Sequence, residues 1–224
     1  MGWGRRVVTS GKGDVRVEEL SAAQRTIARR AAEARATVPD LELRADVEMT
    51  RSLELEGSVT AMLVRACALA LKDVPKANAA YRDGRFEFYS RVNVGVVVAT
   101  DDAYVVPTVF DADQKSLAAL TGEIDELAER ARSGQLSSPA FSGATFTLAN
   151  VGVYGVPSSN FVTHSQAAAL AAGAIREAPV VRDGAVVVGR LMSVTLACDH
   201  RILYGAEAAR FMLAVTSALE QAAL

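Results

Sequence analysis

Met192-Ser193-Val194-Thr195-Leu196-Ala197-Cys198-Asp199-His200-Arg201-Ile202-Leu203-Tyr204-Gly205 decides the reading of this chain. Residues 192–197 are apolar and β-branched at intervals, which predicts a strand. From Gly205 the apolar spacing changes to that of a helix, predicted to run to about Ala222. Between the two lies a short charged turn centred on His200. A histidine at a strand end, flanked by charge, can serve as a general base, because imidazole changes charge near neutral pH. It can equally be a histidine that only ties the turn together, and the spacing alone leaves both readings open.

Working back from that turn, Asp183-Gly184 separates residues 180–182 from 185–188 and predicts a tight hairpin. Residues 167–174 and 145–148 read as further strands. The second of these opens Phe146-Thr147-Leu148-Ala149-Asn150-Val151-Gly152-Val153-Tyr154-Gly155, where a strand breaks into a glycine-bearing turn. Such a turn can aim hydrogen-bond donors at a developing oxyanion. It can also be an ordinary exit from a strand. His164 is the only other imidazole of the chain and reads as a polar loop residue.

Toward the N-terminus, residues 117–132 have the spacing of an amphipathic helix closed by Gly134. Asp111-Ala112-Asp113-Gln114-Lys115 lacks the glycine and alternating acids of a calcium loop, and reads as the approach to that helix. Residues 92–99 and 103–110 read as strands, and Asp83-Gly84 as a hairpin turn. Ser58 is placed to cap an apolar helix over 59–72, and such a helix is buried. Residues 41–49 alternate with period two, as a half-buried strand does. Ser21-Ala22-Ala23-Gln24 is a capping box opening a helix to about Arg35, with Arg25, Arg29, Arg30 and Glu33 on a solvated or interface face. Residues 1–20 read as a polar arm. The order predicts an α+β domain with a mixed, largely antiparallel sheet.

Composition narrows the functional classes. Lys+Arg is 24 and Asp+Glu 26 among 224 residues, a net charge of −2, so no basic balance argues for nucleic-acid binding. Half the residues are hydrophobic, which excludes a disordered chain. Two cysteines, Cys67 and Cys198, and two histidines cannot build a Cys- or His-rich metal site. Both cysteines lie in apolar contexts and read as buried free thiols. No Gly-rich phosphate loop follows an early strand.

Taken together, the segments resemble the catalytic domain of the acyltransferase (E2) component of 2-oxo acid dehydrogenase complexes, which is similar in fold to chloramphenicol acetyltransferase. The resemblance covers residues 15–224, with 1–14 as the end of an inter-domain linker or arm. It is carried by 20–30 as the opening helix, Val92-Asn93-Val94-Gly95-Val96 and 104–109 as central strands, and 111–117 as the next helix approach. Phe146 to Gly152 resembles the oxyanion-side turn, and Asp199-His200-Arg201-Ile202-Leu203-Tyr204-Gly205 the signature Asp-His-Arg-x-x-Asp-Gly.

The resemblance implies that His200 is the general base of thioester exchange between dihydrolipoamide and CoA. Thr147, Ala149 and Asn150 would lie on the oxyanion side, with Asp199, Arg201, Tyr204 and Gly205 as support. It implies CoA as a substrate, a lipoyl group carried on a domain absent from this chain, and no metal. It also implies a homotrimer with the site between subunits, 24- or 60-subunit cages, and partners in the lipoyl domain and the E1 and E3 components. Neither nucleic acid nor membrane is an expected partner, and the bacterial cytoplasm is the expected location. Ala149 departs from the family's Ser or Thr, with Thr147 or Asn150 as substitutes, and Tyr204 departs from its last acidic residue. The departures motivate one alternative, a structural core with weakened or lost catalysis; a second alternative is a CoA-dependent acyltransferase of the chloramphenicol type acting on a hydroxyl.

Overall fold

The helices begin where the sequence supplies caps. Ser21 accepts from the Gln24 backbone N–H at 3.2 Å, and the Gln24 side chain accepts from the Ser21 N–H at 2.9 Å. Two of the helix's orphan donors are thereby satisfied. Ser58 and Ser116 cap two later helices with the serine bond alone, accepting from the Ala61 and Ala119 N–H groups.

The computed structural model describes residues 6–160 and 165–224, so His164 lies outside the described residues. In chain order the elements are β1 (Arg6–Ser10), β2 (Gly13–Val17), α1 (Ala22–Thr37), β3 (Asp40–Glu48), α2 (Val59–Asp73), β4 (Ala79–Arg82) and β5 (Arg85–Phe88). There follow β6 (Val94–Val96), β7 (Val98–Ala99), β8 (Tyr104–Val105), β9 (Thr108–Val109), α3 (Leu117–Arg132), β10 (Phe146–Asn150), β11 (Ala168–Arg182), β12 (Ala185–Asp199) and α4 (Gly205–Glu220).

Among the described residues the main sheet has six strands in the order β3-β12-β11-β10-β6-β9. β10 runs parallel to both β11 and β6, and the other three pairs are antiparallel. This is the mixed, mainly antiparallel α+β arrangement that the sequence predicts. α2 supplies the centre of the core, with Ala61 to Val64, Ala66 to Ala68, Ala70 and Leu71 all buried. Against it pack Phe211, Val215 and Leu219 of α4 and the inward residues Leu148, Leu170, Val194 and Leu196 of the sheet. The Phe146 and Phe211 rings meet at 5.5 Å between centroids. Full burial of one such side chain stabilises the fold by about 1.5–3 kcal/mol.

The structure corrects four expectations. The polar arm is not wholly irregular: residues 6–17 form the β1–β2 hairpin. The single strand expected over 92–99 is two pieces, β6 in the main sheet and β7 paired with β8. The strand expected over 103–110 is likewise split, at Val106-Pro107, where proline has no N–H to give a ladder. Conversely, four short strands expected between 167 and 197 are two long ones. β11 and β12 pair from Ala168↔Cys198 to Arg182↔Ala185, with one irregularity between Ala172 and Ile175. Asp183-Gly184 makes the turn at their far end, as expected, with both residues at positive φ. The irregularity has a packing cause. A Cβ on Gly173 would fall 1.9 Å from the Pro157 carbonyl oxygen, and one on Gly152 would fall 2.4 Å from the Gly173 carbonyl oxygen. Two glycines thus let the loop after β10 cross β11 backbone to backbone.

Candidate active site

His200 stands at the exit of β12. Cys198 and Asp199 still pair with Leu41 and Asp40 of β3, and the His200 N–H donates to the Pro39 carbonyl at 2.9 Å. The backbone is therefore held up to the imidazole, and the side chain itself is exposed. The residues on either side of it are tied to each other. Asp199, only 4% exposed, accepts from Arg201 Nε at 2.9 Å, Arg201 Nη2 at 2.6 Å and the Arg201 backbone N–H at 3.0 Å. A bidentate pair of this kind is directional as well as strong. Hydrogen bonding to Asp199 pushes the Arg201 guanidinium further above its ordinary value. The same guanidinium lies 4.3 Å from the centre of the Tyr81 ring. The anion that Arg201 needs is thus its neighbour Asp199.

Tyr204 occupies the N-cap position of α4. Its backbone N–H donates to Glu207 Oε2 at 3.3 Å, and Glu207 Oε1 accepts from Lys76 Nζ at 2.6 Å. That bond from Lys76 holds the Glu207 carboxyl below the usual carboxylate range. Lys76 Nζ also stands 5.0 Å from the centre of the Tyr204 ring. The rings of His200 and Tyr204 meet edge to face, 6.2 Å between centroids and 78° between planes. Lys76, Tyr81 and Glu207 were not legible as site residues. Glu207 alone carried a local signal, since it stands three residues after Tyr204, the spacing of a capping acid.

The turn expected on the oxyanion side, Phe146 to Gly152, lies elsewhere in the chain. Ala149 pairs with Ala171, and Ala171 pairs with Thr195, so Ala149 is level with a residue five positions before His200. At ~3.3 Å per residue and ~4.8 Å between strands, the two are roughly 16 Å apart along the strands and about 9.6 Å across them. One subunit does not bring them together. Nor are the expected substitutes for the missing Ala149 hydroxyl free to reorient. The Thr147 hydroxyl donates to Gln166 Oε1 at 2.8 Å. The Asn150 amide donates to Thr60 Oγ1 at 3.0 Å, while its Oδ1 accepts from the Gly152 N–H at 3.0 Å. Beyond the turn, Val153 and Tyr154 are 70% and 68% exposed.

Both cysteines are free and buried, as expected. Burial pushes the Cys67 thiol up, and burial followed by the nearby Asp199 charge pushes Cys198 up to about 12. Neither is placed as a nucleophile.

Comparison with known proteins places this geometry. The chain is 35% identical over 217 residues to the dihydrolipoyllysine-residue acetyltransferase component of the pyruvate dehydrogenase complex of Zymomonas mobilis, covering 91% of this chain. It spans about half (49%) of that relative's length. The dihydrolipoamide acetyltransferase of Azotobacter vinelandii superposes with a TM-score of 0.89 at 26% identity, over 99% of this chain and 98% of that one. In that protein a serine, a histidine and an asparagine have been investigated for their role in the catalytic mechanism. The cubic core of the pyruvate dehydrogenase multienzyme complex superposes with a TM-score of 0.88 at 26% identity, over 99% of this chain and 98% of that one. Chloramphenicol acetyltransferase, at 15% identity and a TM-score of 0.53 over 85% of this chain and 94% of its own, shares the fold. The family model of the 2-oxoacid dehydrogenases acyltransferase catalytic domain matches residues 12–224, and the chain belongs to that family.

Proposed function

We propose that this chain moves an acyl group between the thiol of dihydrolipoamide and the thiol of CoA, with His200 as general base. The observation that carries the reading is the setting of His200 in a member of this family. It is exposed at a strand exit whose backbone is fixed by Pro39 and whose flanking side chains lock onto each other. In the reaction, His200 takes the proton of the attacking thiol. The thiolate adds to the thioester carbonyl and forms a tetrahedral oxyanion. Collapse expels the other thiolate, which takes the proton back from His200. Base catalysis of this type contributes about 10²–10⁴-fold.

The site is complete only between subunits in this reading, with His200 from one and the Ala149 turn from its neighbour, in a homotrimer that can serve as the core of a larger assembly. Three features support it. One subunit holds His200 and Ala149 far apart. Val153 and Tyr154, beside the turn, are left largely uncovered. And α1 has Ala34 as its one buried side chain, although tertiary burial of an apolar face is what normally stabilises a helix of this length. The partners proposed are a lipoyl domain and the E1 and E3 components.

The test is acyl transfer from acetyl-, succinyl- and isobutyryl-CoA to dihydrolipoamide, with His200→Ala beside the parent protein. The expected result is turnover with one preferred donor, lowered at least ~10²-fold in the variant. Equal rates would remove His200 from the mechanism. A folded oligomer without turnover would favour a structural core, the reading to which the committed side chains of Thr147 and Asn150 lend weight. Transfer to a small alcohol but not to dihydrolipoamide would identify a hydroxyl acyltransferase.

A further inference from the structure

We propose that the phenol of Tyr204 donates the hydrogen bond that stabilises the oxyanion, so that base and oxyanion donor stand on the same turn. The inference rests on the thioester exchange proposed above.

The argument is one of available donors. The tetrahedral intermediate puts a full negative charge on the former carbonyl oxygen, and preorganised donors aimed at that charge are usually a large part of catalysis. On the oxyanion-side turn, Ala149 has no donor in its side chain. Thr147 has spent its hydroxyl proton on Gln166, and Asn150 bridges Thr60 and Gly152. Moving either would break a bond that holds the turn.

Tyr204 differs on each count. It is 46% exposed, and its ring is against the His200 ring. Its hydroxyl donates only a long bond to the Arg201 carbonyl, at 3.5 Å against the usual 2.5–3.0 Å, so its proton is weakly held and can turn to a stronger acceptor. The base abstracts a thiol proton within hydrogen-bond reach, and the attacked carbonyl is bonded to that sulfur in the intermediate. The oxyanion therefore forms within a few ångströms of the imidazole, the space that Tyr204 borders.

The surroundings favour donation. Lys76 Nζ stands over the Tyr204 ring at 5.0 Å, and a cation on the ring face draws electron density from the phenol. Lys76 is itself fixed by Glu207, which also binds the Tyr204 backbone N–H. Ring and backbone are thus held from two sides while the hydroxyl makes only its long bond to the Arg201 carbonyl. No proton is transferred from Tyr204 in this step: the thiol proton goes to His200, the S–C bond forms, and the phenol hydrogen bond strengthens as the oxygen becomes charged.

Tyr204→Phe keeps the ring, its contact with His200 and the backbone cap, and deletes only the hydroxyl. The expected result is a kcat lower by about 10²-fold with KM for CoA and dihydrolipoamide unchanged. The shape of the pH–rate profile, set by His200, should not change. Ala149→Ser placed in the Tyr204→Phe background should restore more activity than it adds to the parent, since one donor then replaces another. Activity of Tyr204→Phe within twofold of the parent overturns the proposal. So does a loss accompanied by a displaced pH profile, which would make Tyr204 a positioning residue for His200. If the parent protein itself gives no exchange, the thioester reading has failed first, and this proposal with it.

Discussion

Asp199 and Arg201, the two residues on either side of His200, are joined by a bidentate ion pair, with Nε to Oδ1 at 2.9 Å and Nη2 to Oδ2 at 2.6 Å. The pair closes the turn beneath the imidazole, and the guanidinium rests on Tyr81. The exposed imidazole of His200 therefore stands on a rigid mount.

Asp199→Ala removes the buried carboxylate and leaves Arg201 without its anion. Breaking a fully buried pair costs about 3–5 kcal/mol, and the partial exposure of Arg201 reduces this to roughly 2 kcal/mol. Thermal unfolding should show a clearly lowered Tm, and turnover should fall as the His200 turn loosens. An unchanged Tm and rate would mean that the pair does not hold the turn.

Ala149→Ser introduces a hydroxyl on a half-buried strand position whose neighbours are already committed. A several-fold rise in kcat is expected, with little change in Tm. A lower rate would show that the position is read for space rather than for donors.

Gly173→Ala forces a Cβ to within 1.9 Å of the Pro157 carbonyl oxygen, a backbone atom that no side-chain rotation can relieve. The cost should exceed the ~1–3 kcal/mol typical of overpacking, because a loop crossing must open. The variant should unfold at markedly lower denaturant, or be recovered insoluble. Near-native stability would mean that the loop after β10 shifts freely over β11.

Cys198 supplies a pH dependence. Folding pushes its thiol from an ordinary value of 9.0 to about 12. The unfolded thiol ionises first, so the contribution to stability is complete below pH 9 and is lost as pH rises from 9 toward 12. Denaturation midpoints between pH 8 and 11 should fall more steeply for the parent than for Cys198→Ala. A thiol reagent should meanwhile label neither cysteine until the protein unfolds. Parallel slopes, or labelling of the folded protein, would contradict this.

Much of the architecture was legible in the sequence because its causes are local. Ser21, Ser58 and Ser116 start helices through bonds made within three residues. Asp83-Gly84 and Asp183-Gly184 turn hairpins because both residues of each pair adopt positive φ. The strand-to-turn exit that bears His200 was marked by a change of hydrophobic period. Local pattern failed in β11 and β12. Their far halves form a ribbon with Val181, Val186 and Val188 exposed, so no in-out alternation marks strands there. Cross-strand bonding holds that ribbon together, and its register is a property of two segments at once.

The site divides along the same line. The sequence by itself determined which residues are proposed to bear the chemistry: His200, its charged neighbours, and an Ala149 without a hydroxyl. Only the tertiary structure decided how they are disposed. It separates Ala149 from His200 by strand register, spends Thr147 and Asn150 on other partners, and sets Lys76 and Glu207 around Tyr204. The reason is physical. Side-chain chemistry and capping depend on residues a few positions apart, whereas distances and hydrogen-bond partners depend on segments that meet only when the chain has folded.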